Sequence, residues 1–126
     1  MSFYVDDIGF AVAYERPAET FAYLVRGGVH LMLEAAEGPG RRFRTAPLAR
    51  PFGRGINLQI RTEGVADLFE TLRLAGRTLV VPLEERWYRR NQDEVGHRQF
   101  VVADPDGYLL RFFEDIGTRP APPDPR

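Results

Sequence analysis

The segment from residue 96 to residue 114 constrains the fold most, because it predicts two strands joined by a tight turn. The turn is Asp104-Pro105-Asp106-Gly107. Proline presets φ, aspartate bonds to nearby backbone and glycine tolerates positive φ, so these residues suit a turn. A long apolar strand follows the turn, and a helix–strand unit of matching length precedes the segment. We therefore expect a mixed α+β fold.

A helix is predicted for residues 65–75, between strands at 55–60 and 78–83. Its apolar residues recur at i, i+3, i+4 and i+7, which places them on one face. Gly76 stands where a glycine commonly follows the end of a helix. The second half of the chain therefore has the order strand–helix–strand–strand–strand. The apolar face consists of Val65, Leu68, Phe69 and Leu72.

Three strands are predicted in the first half, at residues 10–15, 21–25 and 29–34, with Arg26-Gly27-Gly28 as a hairpin turn. The two halves align as a weak internal repeat, which is itself a fold signal. On this alignment residues 1–4 end a first helix. The first module then lacks its leading strand and most of its helix, and a misplaced start codon is one explanation.

These elements predict a single domain over residues 1–117. Module one spans 1–37, an arginine-rich linker spans 38–54, and module two spans 55–117. Residues 118–126 form a proline-rich tail that cannot contribute to a core.

Composition excludes several classes of function. The chain has no cysteine, so disulfides and thiolate metal sites are ruled out. Its formal net charge of −1 provides no global basic field for nucleic acid. No apolar run reaches membrane-spanning length, and the sequence shows no secretory signal pattern. We expect a cytoplasmic protein that binds neither nucleic acid nor membranes.

Four phrases of the sequence together resemble the vicinal oxygen chelate superfamily, which includes glyoxalases, fosfomycin-resistance enzymes, extradiol dioxygenases and bleomycin-resistance proteins. The resemblance to bleomycin-resistance proteins is the closest of these. It implies two βαβββ modules whose curved sheets form a cleft. It also implies a homodimer that holds a small molecule in grooves between its subunits. The phrases cover residues 10–17, 24–34, 55–58 and 104–111.

The resemblance also implies where metal-dependent members take their ligands, and this chain departs from that pattern. Gly55, the stretch Leu31-Met32-Leu33 and Arg111 occupy three of the four positions, and the strand that carries the fourth is missing. We therefore expect no metal and no cofactor. An off-pattern metal site is the alternative, and its candidate ligands are His30, Glu34, His97 and Glu114.

Six residues are the expected ligand-binding set. The resemblance aligns Phe21 with an aromatic residue that stacks on the drug, and Arg111 follows the Leu-Leu-Arg pattern of the family. Two aromatic residues of bleomycin binders have no counterpart here, and Trp87 or Tyr88 offers a substitute. Tryptophan is also common in cores and dimer interfaces, so Trp87 has that alternative interpretation. The full set is Phe21, Glu34, Trp87, Tyr88, Arg111 and Phe113.

Three functions follow from these observations. The leading hypothesis is a metal-independent protein that binds and sequesters a small molecule, such as a bleomycin-type antibiotic. The alternative is a glyoxalase- or fosfomycin-resistance-like metal-dependent lyase, transferase or dioxygenase. The third is a scaffold whose groove is filled by Phe21, Trp87, Phe100 and Phe113. A homodimer is expected on physical grounds as well, since a missing first strand leaves an unpaired sheet edge.

Overall fold

The computed structural model describes residues 1–35, 49–53 and 55–122. The chain divides into two compact units, Met1–Phe52 (unit 1) and Gly53–Arg126 (unit 2), which are considered separately. In the described residues no helix is long and apolar enough to cross a membrane.

Unit 1 begins with a π-helical segment, Ser2–Ile8, and continues with three antiparallel strands in the order β1-β2-β3. Gly9 follows the segment with a φ of 97°, which glycine adopts without strain. The buried apolar side chains of unit 1 belong to the π-helical segment, to Phe10 and to β2. The strands are β1 (Ala11–Arg16), β2 (Phe21–Arg26) and β3 (Val29–Glu34), with a 3₁₀ turn at Pro17–Glu19.

Unit 2 has the order β4-α1-β5-β6-β7 along the chain, which confirms the predicted strand–helix–strand–strand–strand module. Its sheet order is β4-β7-β6-β5, with β4 parallel to β7 and the other neighbours antiparallel. The fold is therefore α+β, as predicted. The elements are β4 (Asn57–Arg61), α1 (Val65–Leu74), β5 (Thr78–Arg90), β6 (Asp93–Ala103) and β7 (Leu109–Pro120).

Helix α1 packs its predicted apolar face on one side of the sheet. Val65 and Leu72 are completely buried, and the Phe69 ring meets the Phe100 ring at 5.5 Å. The helix ends as the glycine predicts: Gly76 has a φ of 74°. Its N–H and the next N–H donate to the carbonyls of Arg73 and Leu72, which forms a Schellman motif.

The turn between β6 and β7 also forms as predicted. The Asp104 carboxylate accepts hydrogen bonds from the N–H groups of Asp106 and Tyr108, each at 2.9 Å. Gly107 adopts a φ of 101°. The turn therefore fixes the register of the two central strands of the sheet.

Two strands extend beyond their predicted ends. The strand predicted for 78–83 continues to Arg90, and β7 continues to Pro120, three residues into the predicted tail. Most of the predicted linker lies outside the described residues. The division into modules, linker and tail remains a prediction.

Candidate functional site

The two faces of the unit 2 sheet differ in chemistry because strand side chains alternate between faces. The face under α1 carries fully buried apolar side chains, among them Phe100, Leu110 and Phe112. The intervening residues form the opposite face, which we call the cavity face. Its residues are Gln59 and Arg61 on β4, Arg111, Phe113 and Asp115 on β7, Asp93, Val95, His97, Gln99 and Val101 on β6, and Glu84, Arg86, Tyr88 and Arg90 on β5.

A cavity of about 370 Å³ opens on this face. Its volume falls in the range of small-molecule sites, which is about 300–1,000 Å³. Both apolar and charged side chains surround it, so it offers packing area together with polar contacts. The lining residues are Gln59, Arg61, Arg90, Val95, His97, Phe113, Asp115, Gly117 and Thr118.

The aromatic wall of the cavity consists of two stacked rings. The His97 and Phe113 rings lie 4.5 Å apart between centroids, with 28° between their planes. Tyr88 approaches His97 at 5.6 Å from the β5 side. Phe113 is 7% exposed, and the Arg61 guanidinium lies 5.6 Å from the centre of its ring.

Asp115 organises the charges at the cavity. Its carboxylate pairs with the Arg61 guanidinium at 2.8 Å and with His97 Nε2 at 3.5 Å. The Arg61–Asp115 pair is largely solvent-exposed, so its contribution to stability is small. Its effect is to hold charges of both signs beside the aromatic wall.

Beneath the wall, Gln99 is buried with 2% of its surface exposed. Its Nε2 donates to Glu84 Oε1 at 3.1 Å and to the Tyr88 hydroxyl at 2.5 Å. Its Oε1 has no hydrogen-bond partner among the described residues, and the same holds for the buried Nε of Arg111. Buried polar atoms without partners are uncommon in folded proteins and merit an explanation.

The comparisons with known proteins assign the family. The chain is 30% identical to the bleomycin resistance protein of Geobacillus stearothermophilus over 125 residues, covering 92% of this chain and 86% of the relative. The chain belongs to the bleomycin resistance protein family. No family model matches the sequence. The predicted membership in the vicinal oxygen chelate superfamily, with its closest resemblance to bleomycin-resistance proteins, is confirmed.

Solved structures support the fold of this bleomycin resistance family member. TioX from Micromonospora sp. ML1 is 26% identical, with a TM-score of 0.62 and coverage of 89% of this chain and 84% of TioX. A glyoxalase/bleomycin resistance protein/dioxygenase from Alicyclobacillus acidocaldarius is 19% identical, with a TM-score of 0.60, covering 92% of this chain and 80% of that one. The second similarity concerns the fold alone.

Three of the six predicted ligand-binding residues of this family member lie on the cavity face, namely Tyr88, Arg111 and Phe113. Trp87 lies on the other face of β5, above Gly96. Its ring is covered by the Arg119 guanidinium at 4.2 Å, and Arg119 is held by Glu94 at 2.7 Å. The environment of Trp87 is therefore one of packing within unit 2, away from the cavity face.

Phe21 and Glu34 belong to unit 1, where they stand directly opposite each other on β2 and β3. The Arg16 guanidinium lies 4.1 Å above the Phe21 ring. A hydrogen bond to Glu19 raises the pKa of Arg16. On the same face the Tyr14 and Tyr23 rings stack at 5.0 Å, so unit 1 carries an aromatic surface of its own.

The four off-pattern metal candidates are not brought together as a set within either unit. His30 and Glu34 lie on β3 of unit 1, where the Tyr23 hydroxyl bonds to His30 Nδ1 at 2.6 Å. His97 and Glu114 lie on opposite faces of the unit 2 sheet. No cluster of three or more histidine, aspartate or glutamate side chains suited to a metal occurs in the described part of the chain.

The positions that the family resemblance assigns to metal ligands also fail to fit a metal. Gly55 has no side-chain donor, and the Leu31-Met32-Leu33 stretch has no carboxylate or imidazole. Arg111 carries a permanent positive charge, which repels a cation. The residues present therefore do not suit the metal chemistry of the superfamily.

Several cavity-lining residues were not predicted from the sequence, among them Gln59, Arg61 and Asp115. One signal was present: in Asn57-Leu58-Gln59-Ile60-Arg61 the polar residues alternate with apolar ones. That alternation predicts one polar face for β4. It does not reveal which strand lies beside β4.

Proposed function

We propose that this protein binds a planar small molecule of the bleomycin type on the cavity face of unit 2 and sequesters it without a metal and without chemical change. The stacked His97 and Phe113 rings beside a cavity of about 370 Å³ carry this proposal. The bleomycin resistance protein of Geobacillus stearothermophilus supports the choice of drug class.

The aromatic wall supplies an interaction that suits the planar part of such a drug. Stacking of aromatic rings contributes about 0.5–1.5 kcal/mol per pair beyond the burial of area. The polar residues around the wall, chiefly Asp115 and Arg61, then orient the substituents of the planar group. Under this proposal Tyr88, Arg111 and Phe113 are ligand-binding residues.

The proposal includes a homodimer in the cytoplasm. Support for the dimer comes from unit 1, where large apolar side chains remain in contact with solvent. Met32 is 70% exposed and Tyr14 is 49% exposed, and the two residues lie on either side of Tyr23 on one face of the sheet. Contiguous exposed apolar surface of this kind commonly marks an interaction site. A second copy of the chain is the proposed partner for this surface.

A pair of matched substitutions tests the location of the binding site. Thr118 lines the cavity and Thr71 lies on α1, and both residues are exposed. Thr118→Trp fills the cavity with a large ring, so we expect it to weaken binding of metal-free bleomycin at least tenfold. Thr71→Trp is the control and is expected to bind as the wild type does. Isothermal titration calorimetry measures both dissociation constants.

Equal affinity of the two variants would contradict the proposed location. Circular dichroism melting of each variant shows whether the fold is retained, because both substitutions add the same side chain to an exposed position. A loss of binding confined to Thr118→Trp supports the cavity face as the site.

A further inference from the structure

The guanidinium of Arg111 lacks a counter-charge within the described protein, whereas Arg61 and Arg90 on the same face pair with Asp115 and Asp93. Arg111 lies on β7, an inner strand, directly opposite Gln59 on β4 and Val101 on β6. Its side chain is half-buried, and its Nε is sealed from solvent without a hydrogen-bond partner in the described residues. Partial burial of a charged group costs free energy unless a hydrogen-bonding or oppositely charged partner replaces the lost water.

The nearby carboxylates on this face are already engaged. Asp115 pairs with Arg61 and His97, and Glu84 accepts from the Gln99 amide. Glu114 lies on the other face of the sheet, where Arg98 approaches it at 3.8 Å. The partner of Arg111 is thus not supplied by the described carboxylates around it.

Arg111 stands beside the cavity wall. Gln59, directly across from it, and Phe113, two residues along β7 on the same face, both line the cavity. The arginine side chain is long and has several rotatable bonds, so its fork can turn toward a group in the cavity. Guanidinium N–H groups bind carboxylate or carbonyl oxygen in this forked geometry.

We propose that Arg111 is a specificity-determining residue that binds an oxygen acceptor, either a carboxamide carbonyl or a carboxylate, attached to the planar ring lying against Phe113. The inference deepens the proposed function and rests on it. A planar ring that lies against Phe113 places its substituent near the Arg111 guanidinium. The Gln59 side-chain amide on the neighbouring strand β4 offers a second hydrogen-bond donor. The face carries four arginines (Arg61, Arg86, Arg90 and Arg111) and three carboxylates (Glu84, Asp93 and Asp115), so charges of both signs surround the site and both acceptors are tested.

The first test removes the charge with Arg111→Met, a side chain of similar length. A hydrogen bond to a charged group is worth about 1.5–3 kcal/mol, so we expect metal-free bleomycin to bind this variant roughly 10- to 100-fold more weakly. Arg73→Met on α1 is the control and is expected to leave affinity unchanged. Because Arg111 has no partner in the described protein, its replacement is expected to leave the melting temperature equal or higher.

A second test defines the chemistry of the acceptor. It uses three probes that share one planar thiazole ring and differ only in the substituent at position 4. The probes are 2-methylthiazole-4-carboxamide, 2-methylthiazole-4-carboxylate and 2,4-dimethylthiazole. NMR titration measures their dissociation constants. The wild type is expected to prefer the amide, the carboxylate or both over the dimethyl compound by about tenfold, and Arg111→Met is expected to lose this preference. The amide and carboxylate arms distinguish a neutral carbonyl from an anion.

Four outcomes would overturn the inference. Equal affinity of wild type and Arg111→Met for bleomycin, or equal binding of the three probes to the wild type, removes the role of Arg111 and leaves the proposed function standing. A clear fall in melting temperature for Arg111→Met assigns the residue a structural role instead. If neither bleomycin nor any thiazole binds the wild type, the proposed function fails and the inference fails with it.

Discussion

Trp87 and Tyr88 show that a shift of one residue along a strand decides on which face of the sheet an aromatic side chain lies. They are adjacent in the sequence, and the alternation of β5 places them on opposite faces of the sheet. Tyr88 contacts His97 and Gln99 on the cavity face. Trp87 lies between Gly96 and the Arg119 guanidinium. The sequence could identify both as candidate aromatics, but it could not tell their faces apart without the register of β5 against β6.

The packing of Trp87 on Gly96 yields a prediction of stability. A Cβ at Gly96 would come within 2.8 Å of Trp87 Cη2, Trp87 Cζ3 and Ile116 Cγ1. Gly96→Ala must therefore displace the indole ring, and we expect it to lower the free energy of unfolding by about 1–3 kcal/mol. Urea denaturation followed by fluorescence measures the change, because Trp87 is the single tryptophan of the chain.

Gly28→Ala is the matched control for this prediction. A Cβ at Gly28 meets no atom within 4 Å. The control is expected to change the free energy of unfolding by less than about 0.5 kcal/mol. Equal stability of the two alanine variants would contradict the inference that the Trp87 ring packs closely against Gly96.

The secondary-structure elements were largely predictable, because their signals are local. The apolar spacing of Val65, Leu68, Phe69 and Leu72 predicted α1, and Gly76 predicted its end. The turn at Gly27-Gly28 predicted the β2–β3 hairpin. The extension of β5 to Arg90 was not predicted, because residues 84–90 are mostly charged and show no apolar alternation. Those charges meet partners across the strands, as in Arg98–Glu85 at 2.9 Å, and such pairs become visible only once the register is known.

Strand β1 leads to a prediction of assembly. Among the described strands it is an edge strand, and its six residues are all exposed. An edge strand offers backbone groups to a strand of another chain. We expect size-exclusion chromatography with light scattering to give twice the monomer mass at about 10 µM. Tyr14→Lys is expected to shift the protein toward monomer, because it places a charge on the exposed apolar surface.

Glu15→Lys is the control for the assembly prediction, since Glu15 lies on the same strand but points to the other face. It is expected to retain the dimer. A wild-type protein that is monomeric at this concentration would contradict the proposed homodimer.

At the scale of the whole molecule, the chain belongs to the bleomycin resistance protein family and has two compact units, of which unit 2 carries the cavity. The sequence predicted the module order, and it assigned Phe113, Tyr88 and Arg111 to a ligand site. It could not predict the cavity itself, because that depends on long-range pairing. An irregularity at Gly96 and His97 brings His97 opposite Asp115, and parallel pairing brings Arg61 beside Phe113. Neither pairing has a signature in the local sequence.

The central claim is that the protein sequesters its ligand without a metal, and one calorimetric titration tests it most directly. The protein is first treated with a chelator and shown by elemental analysis to be metal-free. It is then titrated with metal-free bleomycin. The mass of the recovered drug is measured by mass spectrometry. We expect saturable binding near one drug molecule per subunit, with the recovered drug unchanged in mass. Absence of binding by the metal-free protein, or a change in the mass of the drug, would contradict the account.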